Sequence, residues 1–129
     1  MVRKVLFLLF ALLPFSGFAQ LEHPATWKFS VEKGPGNEST LVFQVKLEPN
    51  WHMYSQFTPD GGPLPMEFKY EPSSCVELVG KVTESKPHEE FDSTFMVKVL
   101  IFEKSATFRQ KVRIKGGNCT LKGTVFYQA

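Results

Sequence analysis

The chain is poor in the residues that usually carry chemistry. Its 129 residues include two cysteines, Cys75 and Cys119, and three histidines. No C-x-x-C or C-x-x-C-H is present, so the cysteines match neither a zinc nor a haem pattern. His23, His52 and His88 are scattered, and none has a neighbour at ligand spacing, which argues against a metal site. There is no G-x-S-x-G and no glycine-rich phosphate loop ahead of a helix. No local motif orders a Ser-His-Asp set. No cofactor is expected. Charge of one sign is also scarce. Arg3 and Lys4 account for the whole excess of 15 basic over 13 acidic side chains. The remainder is formally neutral, and no clustered basic surface points to nucleic acid or to an anionic membrane.

Long hydrophobic runs are missing, with one exception near the start. Val5 to Phe15 is apolar apart from Pro14. That is about 11 residues, against the roughly 20 that a spanning helix needs. Arg3 and Lys4 precede the run, and Gly17-Phe18-Ala19 follows it with small residues at the positions a signal peptidase reads. This is the three-part layout of a cleavable secretory signal peptide, with the cut expected between Ala19 and Gln20. No basic stop-transfer cluster follows, and no cysteine lies near the junction. Neither a membrane span nor a lipid anchor is expected in this chain. The division read from the sequence is 1–19 signal peptide and 20–129 one small domain.

Export permits a disulfide. A Cys75–Cys119 bridge would close a loop of about 45 residues and stabilise by roughly 4 kcal/mol on the chain-entropy model. The alternative is two buried, unreactive thiols. Spacing alone does not choose between them.

A helical period is absent after the first segment, and period-two alternation takes its place. Trp27, Phe29 and Val31 alternate with Lys28, Ser30 and Glu32. Leu41, Phe43, Val45 and Leu47 do the same, as do Met66, Phe68 and Tyr70. Ala106, Phe108, Val112 and Ile114 stand opposite Thr107, Arg109, Lys111 and Arg113. Such alternation marks strands with one buried and one wet face. Phe95 to Phe102 is apolar except for Lys98 and reads as a central strand covered on both sides. Val76–Thr83 and Cys119–Tyr127 are further strand candidates. Gly34-Pro35-Gly36-Asn37, Pro59-Asp60-Gly61-Gly62-Pro63 and Gly116-Gly117-Asn118 supply turns between the runs. The expectation is an all-β fold, an antiparallel β-sandwich of immunoglobulin-like type. Glu84 to Thr94 reads as a polar loop whose one large apolar residue, Phe91, either tucks back or covers something. Glu89 and Glu90 could act as acid or base only if one were desolvated.

Three stretches together resemble one family. Trp51-His52-Met53-Tyr54-Ser55-Gln56 with Gly62-Pro63-Leu64-Pro65, then His88-Glu89-Glu90-Phe91, then Gly123-Thr124-Val125-Phe126-Tyr127-Gln128 are similar to the periplasmic amino-terminal domain of the thiol:disulfide interchange protein DsbD. Their order and spacing agree over nearly the whole chain after the first segment. The Ala19-Gln20 junction and the Trp-His-Met-Tyr wording resemble Bacteroidetes-type versions. The resemblance implies an immunoglobulin-like fold and a periplasmic location. It implies a cysteine pair that takes electrons from a thioredoxin-like domain and hands them to disulfide isomerase and cytochrome c maturation proteins. It makes His88, Glu89, Glu90 and Phe91 a cap loop, with Phe91 as the shielding ring and the two acids restraining the thiols. Tyr54 and Tyr127 would line the same site. In the family the cysteine pair follows the strand that ends in tyrosine-glutamine, whereas this sequence stops at Ala129. The expectation is a fragment whose reactive pair lies past Ala129, with a membrane domain possible further on. Any protein-disulfide reductase activity would then belong to the longer protein. The alternative is a redox-inactive sandwich that binds an envelope protein. Stopping at Ala129 would also leave Thr124–Gln128 as an uncovered edge.

Overall fold

Alternation becomes strand pairing throughout the computed structural model, which describes residues 2–10 and 24–129. The strands are β1 (Val2–Phe10), β2 (Ala25–Lys33), β3 (Glu38–Leu47), β4 (His52–Tyr54), β5 (Glu67–Tyr70), β6 (Val76–Glu84), β7 (His88–Asp92), β8 (Val97–Glu103), β9 (Ser105–Ile114) and β10 (Thr120–Gln128). They form three antiparallel sheets, ordered β2-β3-β9-β6, β1-β10-β5 and β4-β8-β7. No helix occurs among the described residues. The fold is the expected all-β sandwich of immunoglobulin-like type.

Aromatic side chains hold the first two sheets face to face. Trp27 and Phe29 on β2 and Phe43 on β3 point inward and are almost fully buried. Trp27 meets Tyr127 of the facing sheet at 5.5 Å between ring centroids, and Phe43 meets Phe68 at 5.2 Å. These offset and tilted pairs suit ring quadrupoles better than face-to-face stacking does. The third sheet joins the same core through Met53 and Phe102, both buried.

The inward face of β9 includes Gln110, which the apolar alternation passes over. It is 2 % exposed. Its amide donates to the carbonyls of Val79, Gly80 and Lys111 at 3.3, 3.2 and 2.8 Å. Those first two carbonyls belong to a bulge between Val79 and Thr83, where Gly80 takes φ +72°. A bulge frees ladder carbonyls, and a buried amide is stable only when such groups pair with it.

Some expectations change and others do not. Val2–Phe10, part of the 1–19 segment expected to be cleaved, is a strand paired with β10 along its length in the uncleaved chain, which leaves that expectation as it stood. The junction at Ala19-Gln20 and the residues around it lie outside the described residues. In the uncleaved chain Thr124–Gln128 lies between β1 and β5, so its outer side is covered by the segment expected to be removed. Glu84 to Thr94 is not a loop throughout, since β7 pairs with β8 from His88 to Asp92. As the outermost strand of its sheet, β7 can keep its charges in water, and charge protects such an edge. The central strand begins at Val97 rather than Phe95. Asp92 Oδ1 accepts from the N–H groups of Thr94 and Phe95 at 2.8 and 3.1 Å, which turns the chain there, and Met96 at φ 57° completes the reversal. Short polar side chains favour such turns by bonding the backbone two residues on.

Cys75 and Cys119 form a disulfide, so the alternative of two free thiols is set aside. It ties the residue before β6 to the residue before β10.

Candidate functional site

The residues that the sequence singled out converge mainly on the third sheet. Tyr54 on β4 is opposite Ile101 on β8, and Ile101 is opposite His88 on β7. Directly paired residues share a face. Tyr54, Val99 and Ile101 therefore form a small buried cluster with Val97 beside it. His88 and Glu90 stand on the same side. His52 Nε2 lies 3.1 Å from the Tyr54 hydroxyl, and the two rings meet edge to face.

Alternation splits the expected cap. Glu89 and Phe91 point to the opposite face of β7 from His88 and Glu90. Glu89 pairs with Lys98 at 3.4 Å. Phe91 is 61 % exposed, across the strands from Lys98. Only Glu90, with Asp92, reaches Tyr54 electrostatically: burial first, then the Asp92 and Glu90 carboxylates, raises the Tyr54 pKa above its ordinary value. Tyr127, 1 % exposed, packs on Trp27 in the main core and also borders a surface pocket with Leu64 and Pro65.

A segment beginning at Ser55 fixes the edge of this sheet. Ser55 N–H donates to the Leu100 carbonyl, and the Leu100 N–H donates to Thr58 Oγ1, both at 2.9 Å. The Ser55 hydroxyl donates to Glu84 Oε2. Glu84 Oε1 also accepts from the backbone and side-chain nitrogens of Gln56 at 3.2 and 3.1 Å. A β6 carboxylate thus clamps the turn that follows Tyr54. Further on, Gly62 packs so closely on Val97 and Phe95 that a Cβ there would come within 2.7 Å of Val97 Cγ2. Leu64 N–H then donates to Gln128 Oε1 at 2.8 Å. The end of β10 is thereby fastened to the segment that borders the third sheet.

Large apolar side chains stand in solvent along these two segments. Phe57 and Leu64 belong to the bordering segment, and Phe91, Phe95 and Met96 to the end of the β7–β8 hairpin. Exposed apolar groups concentrated in this way mark interaction surfaces. Sequence reading missed Phe57, Phe95 and Met96. Phe95 and Met96 looked like the start of a core strand, and the Asx turn that expels them is visible only as the single residue Asp92.

Donor atoms of His88, Glu90 and Glu103 lie within 4.8 Å of one another, a set able in principle to hold a cation. Spacing along the chain hid it, because Glu103 comes from the neighbouring strand. All three are exposed, and His88 and Glu90 already lie 3.4 Å apart as an ion pair when the imidazole is charged.

The disulfide lies far from this region. It precedes β10, whereas Gln128 ends it. Nine residues of strand at about 3.3 Å each span roughly 30 Å. Cys75 and Cys119 are therefore at the opposite end of the sandwich from Leu64 and Gln128.

All three tyrosines of the chain have raised pKa values, with burial the main cause in each. For Tyr127 the Trp27 indole and the Arg3 guanidinium oppose the rise. A phenol whose pKa is higher folded than unfolded contributes stability that is complete below the unfolded value. That contribution is lost as pH climbs past it. The domain should hold its stability up to about pH 10 and lose it progressively above. Tyrosinate absorbance should appear together with loss of the β-sheet circular dichroism signal. A tyrosine that titrates near its ordinary value before unfolding would contradict the burial described.

Residues 19–129 match the family model of the thiol:disulfide interchange protein DsbD, N-terminal. No curated protein and no solved structure matches the chain.

Proposed function

Because the chain belongs to the family of DsbD amino-terminal domains, a thiol:disulfide interchange domain in kind, we propose that it relays reducing equivalents in the periplasm. The donor is a thioredoxin-like domain, and the acceptors are disulfide isomerase and cytochrome c maturation proteins. The reactive cysteines follow Ala129. In each transfer a thiolate attacks a partner's disulfide, a mixed disulfide forms, and the second thiol resolves it. Two electrons and two protons pass to the partner.

One observation carries the reading. Gln128 bonds to Leu64, so chain following Ala129 starts beside the exposed Phe57–Leu64 segment and the β7–β8 hairpin. Phe91 and its apolar neighbours can shelter a thiol from small oxidants and give a thioredoxin-like partner a surface to dock on. Of the two acids, Glu89 shares the Phe91 face of β7 and Glu90 the Tyr54 face; a carboxylate on the thiols' own side would disfavour a thiolate, since like charge raises a thiol pKa. The Cys75–Cys119 bridge, at the far end, is structural.

The coding sequence after codon 129 tests this. A cysteine codon, with a second a few residues later, is expected. In protein carrying that pair, Phe91→Ala should speed oxidation of the reduced thiols by peroxide several-fold, while leaving the fold intact. A stop codon, or cysteines whose oxidation Phe91→Ala does not change, would sink the shielded relay. The stop codon would leave a sandwich that binds an envelope partner without exchange.

A further inference from the structure

Strand pairing assembles a donor set that spacing along the chain hides. His88 and Glu90 stand on one face of β7, and β8 lies beside them with Ile101 opposite His88. Glu103, two residues on from Ile101, faces the same side. Its carboxylate, the His88 imidazole and the Glu90 carboxylate bring donor atoms within 4.8 Å of one another. His88 Nε2 and Glu90 Oε1 are 3.4 Å apart. Donors bound to one tetrahedral Zn²⁺ at about 2.0–2.1 Å stand about 3.3 Å from each other. Two of the three are therefore already at ligating separation. Glu103 needs to close by no more than about 1.5 Å. All three side chains are exposed, so no packing opposes that movement. An exposed pair such as His88 and Glu90 contributes too little to resist exchange for a metal.

We propose that His88, Glu90 and Glu103 hold a divalent transition-metal ion of the zinc class, with the fourth position left to water. One imidazole and two carboxylates suit such an ion better than Ca²⁺ or Mg²⁺, which take oxygen ligands. The surroundings select in the same direction. Lys46, Lys86 and Lys104 border the groove that His88 and Glu103 also line. A cation drawn only by a general negative field gains little there, so the bond to the imidazole nitrogen decides. His52 shares the face, opposite Glu103, but its Nε2 is engaged 3.1 Å from the Tyr54 hydroxyl. The ion supplies what β7 lacks. That strand is paired to β8 through its backbone, while its side chains lie mostly in solvent. Two ligands from β7 and one from β8 join the strands at the end of the hairpin away from Phe95 and Met96. They hold in place the strand that carries Phe91. The site rests on the geometry of these two strands and not on the relay.

Calorimetric titration of the untagged, chelator-stripped chain with Zn²⁺ tests it. One ion should bind with a Kd of about 50 µM or tighter. His88→Ala and Glu103→Ala should each weaken binding about tenfold or more, while His23→Ala and His52→Ala, outside the set, should leave it within about twofold. Ca²⁺ and Mg²⁺ should not displace the ion. With Zn²⁺ bound, the amides of β7 should exchange several-fold more slowly than without it, and those of β2 at an unchanged rate. A weaker Kd overturns the proposal. So does affinity that survives His88→Ala, or competition by Ca²⁺, since either makes the binding a diffuse effect of surface charge. Zinc bound with exchange in β7 unchanged removes the link between the strands.

Discussion

Replacing Cys75 and Cys119 together by alanine should lower stability by about 4 kcal/mol and the melting temperature by about 15 °C. The bridge spans 44 residues of sequence, and its Cα atoms are 6.0 Å apart, within the range a disulfide bridges comfortably. The turn at Cys75 is also held without it. Ser73 Oγ accepts from the N–H groups of Cys75 and Val76 at 3.3 and 3.2 Å, and Lys115 N–H donates to the Cys75 carbonyl at 2.8 Å. The native state should therefore change little, and the loss should lie in a looser unfolded chain. Urea unfolding would report this as a lower midpoint with a steeper slope, since the unbridged chain exposes more surface. Alkylation before reduction should add no label, and after reduction one at each cysteine. Equal labelling in both conditions would remove the bridge and this expectation with it. The proposed relay should survive the substitution at temperatures where the domain stays folded, because the bridge and the Leu64–Gln128 contact lie at opposite ends of β10.

The sandwich was legible because its strands write themselves as alternation. Trp27 to Val31, Leu41 to Leu47 and Ala106 to Ile114 are each inward on every second residue, as sequence alone requires of a half-buried strand. The third sheet was less legible for a physical reason. β7 has no inward apolar residue to announce it. Its five residues are held by backbone pairing to β8 and lie mostly in solvent. A strand stabilised by its ladder rather than by burial leaves no hydrophobic period. The same cause split Glu89 from Glu90: neighbours on a strand face opposite ways, while neighbours in a loop carry no such rule. Tyr54 and Glu90 were identified from resemblance, and their approach to each other depends on β8 lying between them. Gln110 escaped notice because a polar residue interrupts alternation unless the bulge that satisfies it is known. Val2–Phe10 carried one signal and hid the other. An apolar run preceded by basic residues reads as a leader, and because Val5, Leu6 and Phe7 are all apolar, their alternate burial leaves no period in the sequence.

Phe108→Ala should be the most damaging single substitution in the core, at about 4 kcal/mol. The side chain is fully buried on β9, opposite Phe43. Its ring meets Trp27 of its own sheet at 6.1 Å, Phe68 of the facing sheet at 5.3 Å and Phe102 of the third sheet at 5.5 Å. All three sheets thus touch one ring, and truncation leaves a cavity that none of them can fill without shifting strands paired to others. The third sheet has the fewest alternatives. It is joined to β9 by Lys104 alone, between Glu103 and Ser105, and reaches the core through Phe102 and Met53. Amide exchange in β8 should accelerate in Phe108→Ala by more than global destabilisation explains, while β3 follows the global value. Phe108→Leu, which keeps much of the volume, should cost less than about 1.5 kcal/mol and leave the two strands in step. If Phe108→Ala costs no more than Phe108→Leu, the ring is not what couples the sheets. The Tyr54 region would then owe its position to the Glu84 clamp on Ser55 and Gln56 instead.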